Sequence, residues 1–316
     1  MKSNFIMMKT YLKRCSLLLL SLLILTSQVQ AQKKYRLALK LAPNTSYLVE
    51  QDISQNIEQK LAGQGQTTYQ VTRTVFEYQI KDKQSDNFYN VDVVYKKIYY
   101  KSGAQSFDSE NPTTGSPVLA KIFGNVIGSK LTMKLNENGQ IKELKGANEL
   151  IDKMMSAKVI PNETIKKRLK TTFNNAFGEK AMRESMEQFF NIYPRKKIKV
   201  GRDWSKTIER KAGFPSTNRF TWHLQEVKKG LAFIKVKGKI NPKPNTKMDL
   251  GMAMARYDLK GNQEGSIDMD LTSGWIKNAY GKMTLTGKMY IAVEGQLDEA
   301  EVDVKITTVS KYRTLD

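Results

Sequence analysis

Cysteine and histidine are almost missing from this sequence: each occurs once in 316 residues. One cysteine cannot build a disulfide framework, and a metal site made of His and Cys ligands has too few donors to draw on. Cys–His nucleophilic catalysis would need Cys15 and His223, and a Ser–His–Asp arrangement would have to use His223 alone. No G-x-S-x-G elbow accompanies it. Proline is also scarce, with 8 residues, and the only long apolar run is Leu17 to Leu25. The chain has the make-up of a folded protein, 40% hydrophobic and 26% charged, and is long enough for one large core or two ordinary ones.

That single apolar run follows Lys9, Lys13 and Arg14 and precedes Val29-Gln30-Ala31. A basic stretch, a short apolar stretch and a small residue at the end form the layout of a secretory signal. The run falls far short of the roughly 20 residues a membrane-spanning helix needs. Residues 1–31 are therefore expected to be a cleaved signal, with export to the periplasm, the outer membrane or beyond. Cys15 precedes the leucines, whereas a lipid-anchored cysteine would follow them, so no anchor through Cys15 is expected. Four cations leave with the signal, and the formal charge falls from +21 to +17.

Beyond it the dominant period is two. Tyr35, Leu37, Leu39 and Leu41 alternate with polar or small residues, as do Leu131, Met133 and Leu135, and later Phe220, Trp222 and Leu224. Such alternation predicts strands with one buried face. Val71 and Val75 lie on one phase and Phe76, Tyr78 and Ile80 on the other, which predicts a bulge between them or a strand that bends between two faces. Ser116-Pro117 opens a short helix over 116–127, with Ser as N-cap and Pro at the first position. Spacing by three and four then marks a helical insert over 147–194, broken near Gly178. The expected organisation is an N-terminal β segment (32–146), this insert, and a C-terminal β segment (195–316), with 32–316 as one domain. Gly139-Gln140-Ile141-Lys142 and Gly274-Trp275-Ile276-Lys277 sit at matching places in the two β segments and hint at a pseudo-repeat.

The strand YRLALKL, the helix PVLAKIFGNVIG, the segment KLTMKLNENGQIKELKGANELIDKM, and KVGRDW with DLTSGWIK together resemble an uncharacterised family of exported Bacteroidota proteins, a domain of unknown function. The resemblance implies no activity. In architecture the order of elements is similar to the curved antiparallel half-barrels of periplasmic lipoprotein carriers, whose helices plug the concave face. The fold class expected is thus β-rich α+β, a curved antiparallel sheet or half-barrel with the central helices on its concave side.

No residue set singles out a catalytic, cofactor or metal site, and a binding protein is favoured over an enzyme. Period two turns His223 away from Trp222, towards solvent. Amphipathic spacing picks Leu119, Phe123, Phe189, Phe190 and Trp222 as walls of an apolar ligand cavity. Lys166, Lys167, Arg168, Arg195, Lys196 and Lys197 are the cations expected to meet an anionic envelope surface. Export argues against nucleic acid as the partner. Three readings stay open: a carrier of a lipid or other apolar small molecule, an interaction or scaffold module with a filled core, and a hydrolase with an unrecognised site.

Overall fold

The computed structural model describes residues 33–156, 162–212, 215–249, 253–293 and 299–315. The expected signal, with Cys15, lies outside the described residues. The chain divides into two compact units, Met1–Tyr35 and Arg36–Asp316. In the first, Lys34–Tyr35 is extended and the Lys33 ammonium lies 5.6 Å from the Tyr35 ring centre.

The second unit is built on one 13-stranded antiparallel sheet. Its strands are β1 (Thr45–Leu61), β2 (Gln64–Lys83), β3 (Phe88–Ser102), β4 (Gln105–Asp108), β5 (Lys130–Asn136), β6 (Ile141–Lys145), β7 (Asp203–Arg210), β8 (Ser216–Lys228), β9 (Leu231–Pro242), β10 (Lys247–Asp249), β11 (Ala253–Asp270), β12 (Ile276–Val293) and β13 (Ala300–Leu315). The spatial order is β6-β5-β3-β2-β1-β13-β12-β11-β9-β8-β7, with β4 beside β3 and β10 beside β11. Each neighbour in that path is a hairpin partner except at three places, β5–β3, β1–β13 and β11–β9, and at the centre the first and last strands pair, Leu61 with Val302 and Leu48 with Leu315.

Local chemistry sets the turns and bends. The β1–β2 hairpin turns through Ala62 and Gly63, both at positive φ, the geometry of a two-residue hairpin loop. The register of β2 against β3 slips between Val75 and Phe76, where the apolar phase changes. Neighbouring groups come close at two strand glycines: a Cβ on Gly238 would lie 2.7 Å from the Phe220 ring, and one on Gly265 would lie 2.2 Å from the Tyr280 carbonyl. Strands lacking side chains at such points can fold closely over one another.

Four helices follow in the described residues: α1 (Pro117–Gly124), α2 (Ala147–Met155), α3 (Glu163–Phe177) and α4 (Glu179–Phe190). Ser116 caps α1 by accepting the Leu119 N–H at 3.4 Å, with Pro117 at its first position. Leu150, Ile151, Met154 and Met155 of α2 bury against Ile98, Phe107 and Val126. The sheet is open and curved, and the fold is β-rich α+β of half-barrel form.

The expected strand over Tyr35–Leu41 takes another form. Residues 36–42 make no ladder, yet Leu37, Ala38, Leu39 and Leu41 are all buried. This extended segment runs between the two similar turns: Leu39 N–H donates to the Glu137 carbonyl at 2.8 Å, and Lys40 N–H to the Ser273 carbonyl at 2.7 Å. Gly139 and Gly274, equivalent in the two turns, have φ of 78° and 70°.

Candidate functional site

The feature that sets this fold apart from a plain curled sheet is the seat of α4. Met182, Ser185, Met186, Phe189 and Phe190 recur at three-and-four spacing, so one stripe of the helix faces the inner side of the sheet. Phe190 is buried, its ring 6.0 Å from those of both Tyr78 and Trp275, and the Phe189 ring lies tilted 4.8 Å from that of Tyr312.

Polar fastenings hold the helix to both edges of the sheet. On the β6 side, Arg183 donates to the Ile141 carbonyl at 3.3 Å, and Glu179 accepts the Gly146 N–H at 3.2 Å. On the β7 side, Glu184 accepts the N–H groups of Lys211 and Ala212 at 2.7 and 2.9 Å. Trp204 Nε1 donates to the Ile192 carbonyl at 2.7 Å, and Lys206 to the Asn191 side chain. One helix thus touches the two strands that stand at opposite ends of the sheet order.

Packing beneath α4 is incomplete, and two half-open hollows remain. The first, about 200 Å³, lies among Phe76, Tyr78, Val93, Tyr95, Leu131, Met182 and Met186. The second, about 290 Å³, is walled by Ile53, Phe220, Trp222, Val236, Ile267 and Met283, with Gln51, Gln188, Gln263, Thr308 and Ser310 among them. Phe189 and Tyr312 border both. Taken together the hollows match the size of small-molecule sites, roughly 300–1,000 Å³.

The electrostatics are those of a largely apolar pocket with a charged rim. Burial raises the Tyr95 hydroxyl to about 12 and pushes Tyr78 and Tyr312 above the usual phenol range, so these groups stay neutral donors. Arg210 reaches the second hollow, and its Nε is buried with no hydrogen-bond partner. Burial lowers the Arg210 pKa, and the Glu184 carboxylate works against that shift. Burial also lowers Lys206, with help from Arg195, to about 8.

Of the cavity residues expected from sequence, Phe189, Phe190 and Trp222 border these hollows. Leu119 and Phe123 do not. They pack in the filled cluster around Phe107, Leu150 and Ile151, with Phe123 5.8 Å from the Phe107 ring, because α1 lies on β4 and α2 rather than over the inner face. Sequence reasoning passed over Gln51, Gln263, Thr308 and Ser310. Their signal was a polar residue on the same phase as apolar neighbours, Gln51 with Val49 and Ile53, for example.

The basic residues expected to meet an anionic surface are spread out. Lys166 lies 3.5 Å from Glu163, Lys167 is exposed, and Arg195, Lys196 and Lys197 are exposed after α4. The side chain of Arg168 lies outside the described residues. His223 sits on the outer face, its Nδ1 2.6 Å from Asp203, with the two side chains 41% and 60% exposed. The nearby hydroxyls of Ser205 and Thr221 bond to each other at 2.8 Å. Among the described residues no group of three or more His, Cys, Asp or Glu is placed to hold a metal ion, and no helix is long and apolar enough to cross a membrane.

Comparison with solved structures finds loose likeness only. A lipovitellin structure concerned with lipid–protein interactions aligns over 88% of this chain and 26% of its own, at 9% identity and a TM-score of 0.46. The chain thus spans about a quarter of that lipovitellin chain. OccK2 (OpdF) of Pseudomonas aeruginosa in complex with glucuronate aligns over 88% and 100%, at 6% identity and a TM-score of 0.24. An outer membrane channel of Pseudomonas putida F1 aligns over 88% and 97%, at 7% identity and 0.20. Likeness at this level carries no functional weight. No curated protein matches the chain in sequence. A family model does: residues 86–276 match the family of unknown function DUF6263, more than half of the chain, and the chain belongs to that family.

Proposed function

We propose that this member of DUF6263 is an exported cell-envelope protein that binds a lipid or another apolar ligand, without catalysis, in the two hollows beneath α4. The observation that carries this reading is the space itself: half-open, aromatic and methionine-lined, with Phe189 and Tyr312 between its two parts. Methionines 182, 186 and 283 supply flexible, polarisable walls that adapt to chains of different shape. The signal-like residues 1–31 support export, and the exposed Lys167, Arg195, Lys196 and Lys197 suit an anionic envelope surface.

Native mass spectrometry of the protein purified from its own envelope tests the proposal. A bound mass that extracts into organic solvent is expected, and the emptied protein should take up cis-parinaric acid with a rise in fluorescence. Ile53→Trp with Met186→Trp, one in each hollow, should abolish that uptake while leaving the circular dichroism spectrum unchanged. A protein that carries no extractable mass and takes up no probe would leave the interaction-module reading in its place.

A further inference from the structure

We propose that the outer face of β8, β9, β11 and β12 is a binding site for a linear acidic polysaccharide. It lies on the side of the sheet opposite α4 and does not depend on any ligand there. The antiparallel register sets Arg219 directly opposite Lys239, and Thr221 opposite Lys237. Across the next two strands, Lys237 is followed by Glu264 and then Lys282. Lys235, Lys237 and Lys239 alternate along β9, so their ammonium groups leave one face at intervals of about 7 Å. Arg219 and these lysines are exposed, as is Lys282. Arg219, Lys237, Lys239 and Lys282 border one shallow groove.

Like charges facing each other across a strand pair repel, and elsewhere on this outer face the sheet answers its cations. Lys305 meets Glu58 at 2.9 Å, Arg313 meets Glu50 at 3.1 Å and Arg73 meets Asp52 at 3.2 Å. Among the described residues no carboxylate pairs with Arg219, Lys235, Lys237, Lys239 or Lys282. The pair Arg219–Lys239 is the plainest case, since a carboxylate at either position would remove the repulsion. A bound polyanion removes it as well.

The groups between the cations select the class of polyanion. Thr221, Asn262 and Thr284 border the same groove and offer hydroxyl and amide groups to sugar hydroxyls. Glu264, between two lysines, accepts a hydrogen bond from a sugar hydroxyl. Beyond the groove, Tyr280, 42% exposed and on the same strand phase as Lys282, offers a ring face to a pyranose. A membrane-seated surface would need a broad apolar face to insert, and a single-strand nucleic acid groove would need aromatics for successive bases. One tyrosine provides neither.

The test uses the full chain and polygalacturonate, a linear polyuronate, in affinity electrophoresis and calorimetry at graded salt. Retention by polygalacturonate but not by neutral dextran is expected, weakening as salt rises. Lys237→Glu with Lys239→Glu should cut affinity at least tenfold, and Tyr280→Ala should weaken it without changing the salt dependence. Lys239→Glu alone should raise the melting temperature while lowering affinity, because it turns a repulsive pair into an ion pair. That opposite movement separates lost binding from lost folding. The proposal is overturned if polygalacturonate is not retained, if the double variant binds as the natural protein does, or if single-stranded DNA or anionic phospholipid vesicles bind more tightly than the polyuronate.

Discussion

Gly139 and Gly274 show how much of this molecule rests on single backbone positions. A Cβ at Gly139 would stand 1.8 Å from the Phe190 carbonyl, and one at Gly274 would stand 1.9 Å from the Ala38 carbonyl. Both residues also sit at positive φ. Gly139→Ala or Gly274→Ala should therefore destabilise by more than the roughly 1–2 kcal/mol of left-handed strain alone, read as a shift in the urea midpoint. Gly63, at similar φ but with open space around it, should show only the strain. Lys206 gives a residue-scale prediction in pH. The folded protein releases its proton near 8, the unfolded chain near 10.5. Between those values the unfolded chain holds more protons, so stability rises with pH across that window and the burial penalty is fully present below it. Lys206→Met should be more stable than the natural protein at pH 7, with an advantage that shrinks from pH 8 upward. An advantage independent of pH would refute the assignment.

At the scale of elements, α4 decides what the sheet can hold. Glu184 is buried and caps two backbone N–H groups just after β7. Glu184→Ala should cost about 1.5–3 kcal/mol and expose the Lys211 and Ala212 amides to hydrogen exchange. Phe189→Ala should join the two hollows and favour longer ligands, seen as a shift in bound mass. Much of this element was legible in the sequence, because three-and-four spacing and Gly178 mark its stripe and its start. The β2 bulge was legible too, since Val75 and Phe76 carry the phase change on their own side chains. Leu37 to Leu41 misled: alternation reports which side chains are buried, and a segment that threads between two turns buries them as well as a ladder does. Leu119 and Phe123 misled for a related reason. Their spacing fixes an apolar stripe but not the neighbour it meets, and that neighbour was β4 with α2 rather than the inner face. The facing of Arg219 and Lys239 could not be read, because register across strands is set by turns and bulges.

The unit Arg36–Asp316 holds two β halves, β1 to β6 and β7 to β13, joined through α4 at the outer edges and through β1 and β13 at mid-sheet. Amides in the β1–β13 ladder should exchange only through global unfolding, and those of β6 and β7 through local opening. The same ladder has a kinetic meaning. Its partners, Leu48 with Leu315 and Leu61 with Val302, are the most distant in sequence of any strand pair, so closing it carries the largest loop entropy and comes late. Until then each half presents a bare strand of 17 or 16 residues whose complement lies on the other half. At high concentration during refolding, β1 of one copy meets β13 of a second in the native register. The trap this topology sets is a domain-swapped dimer with every native hydrogen bond in place.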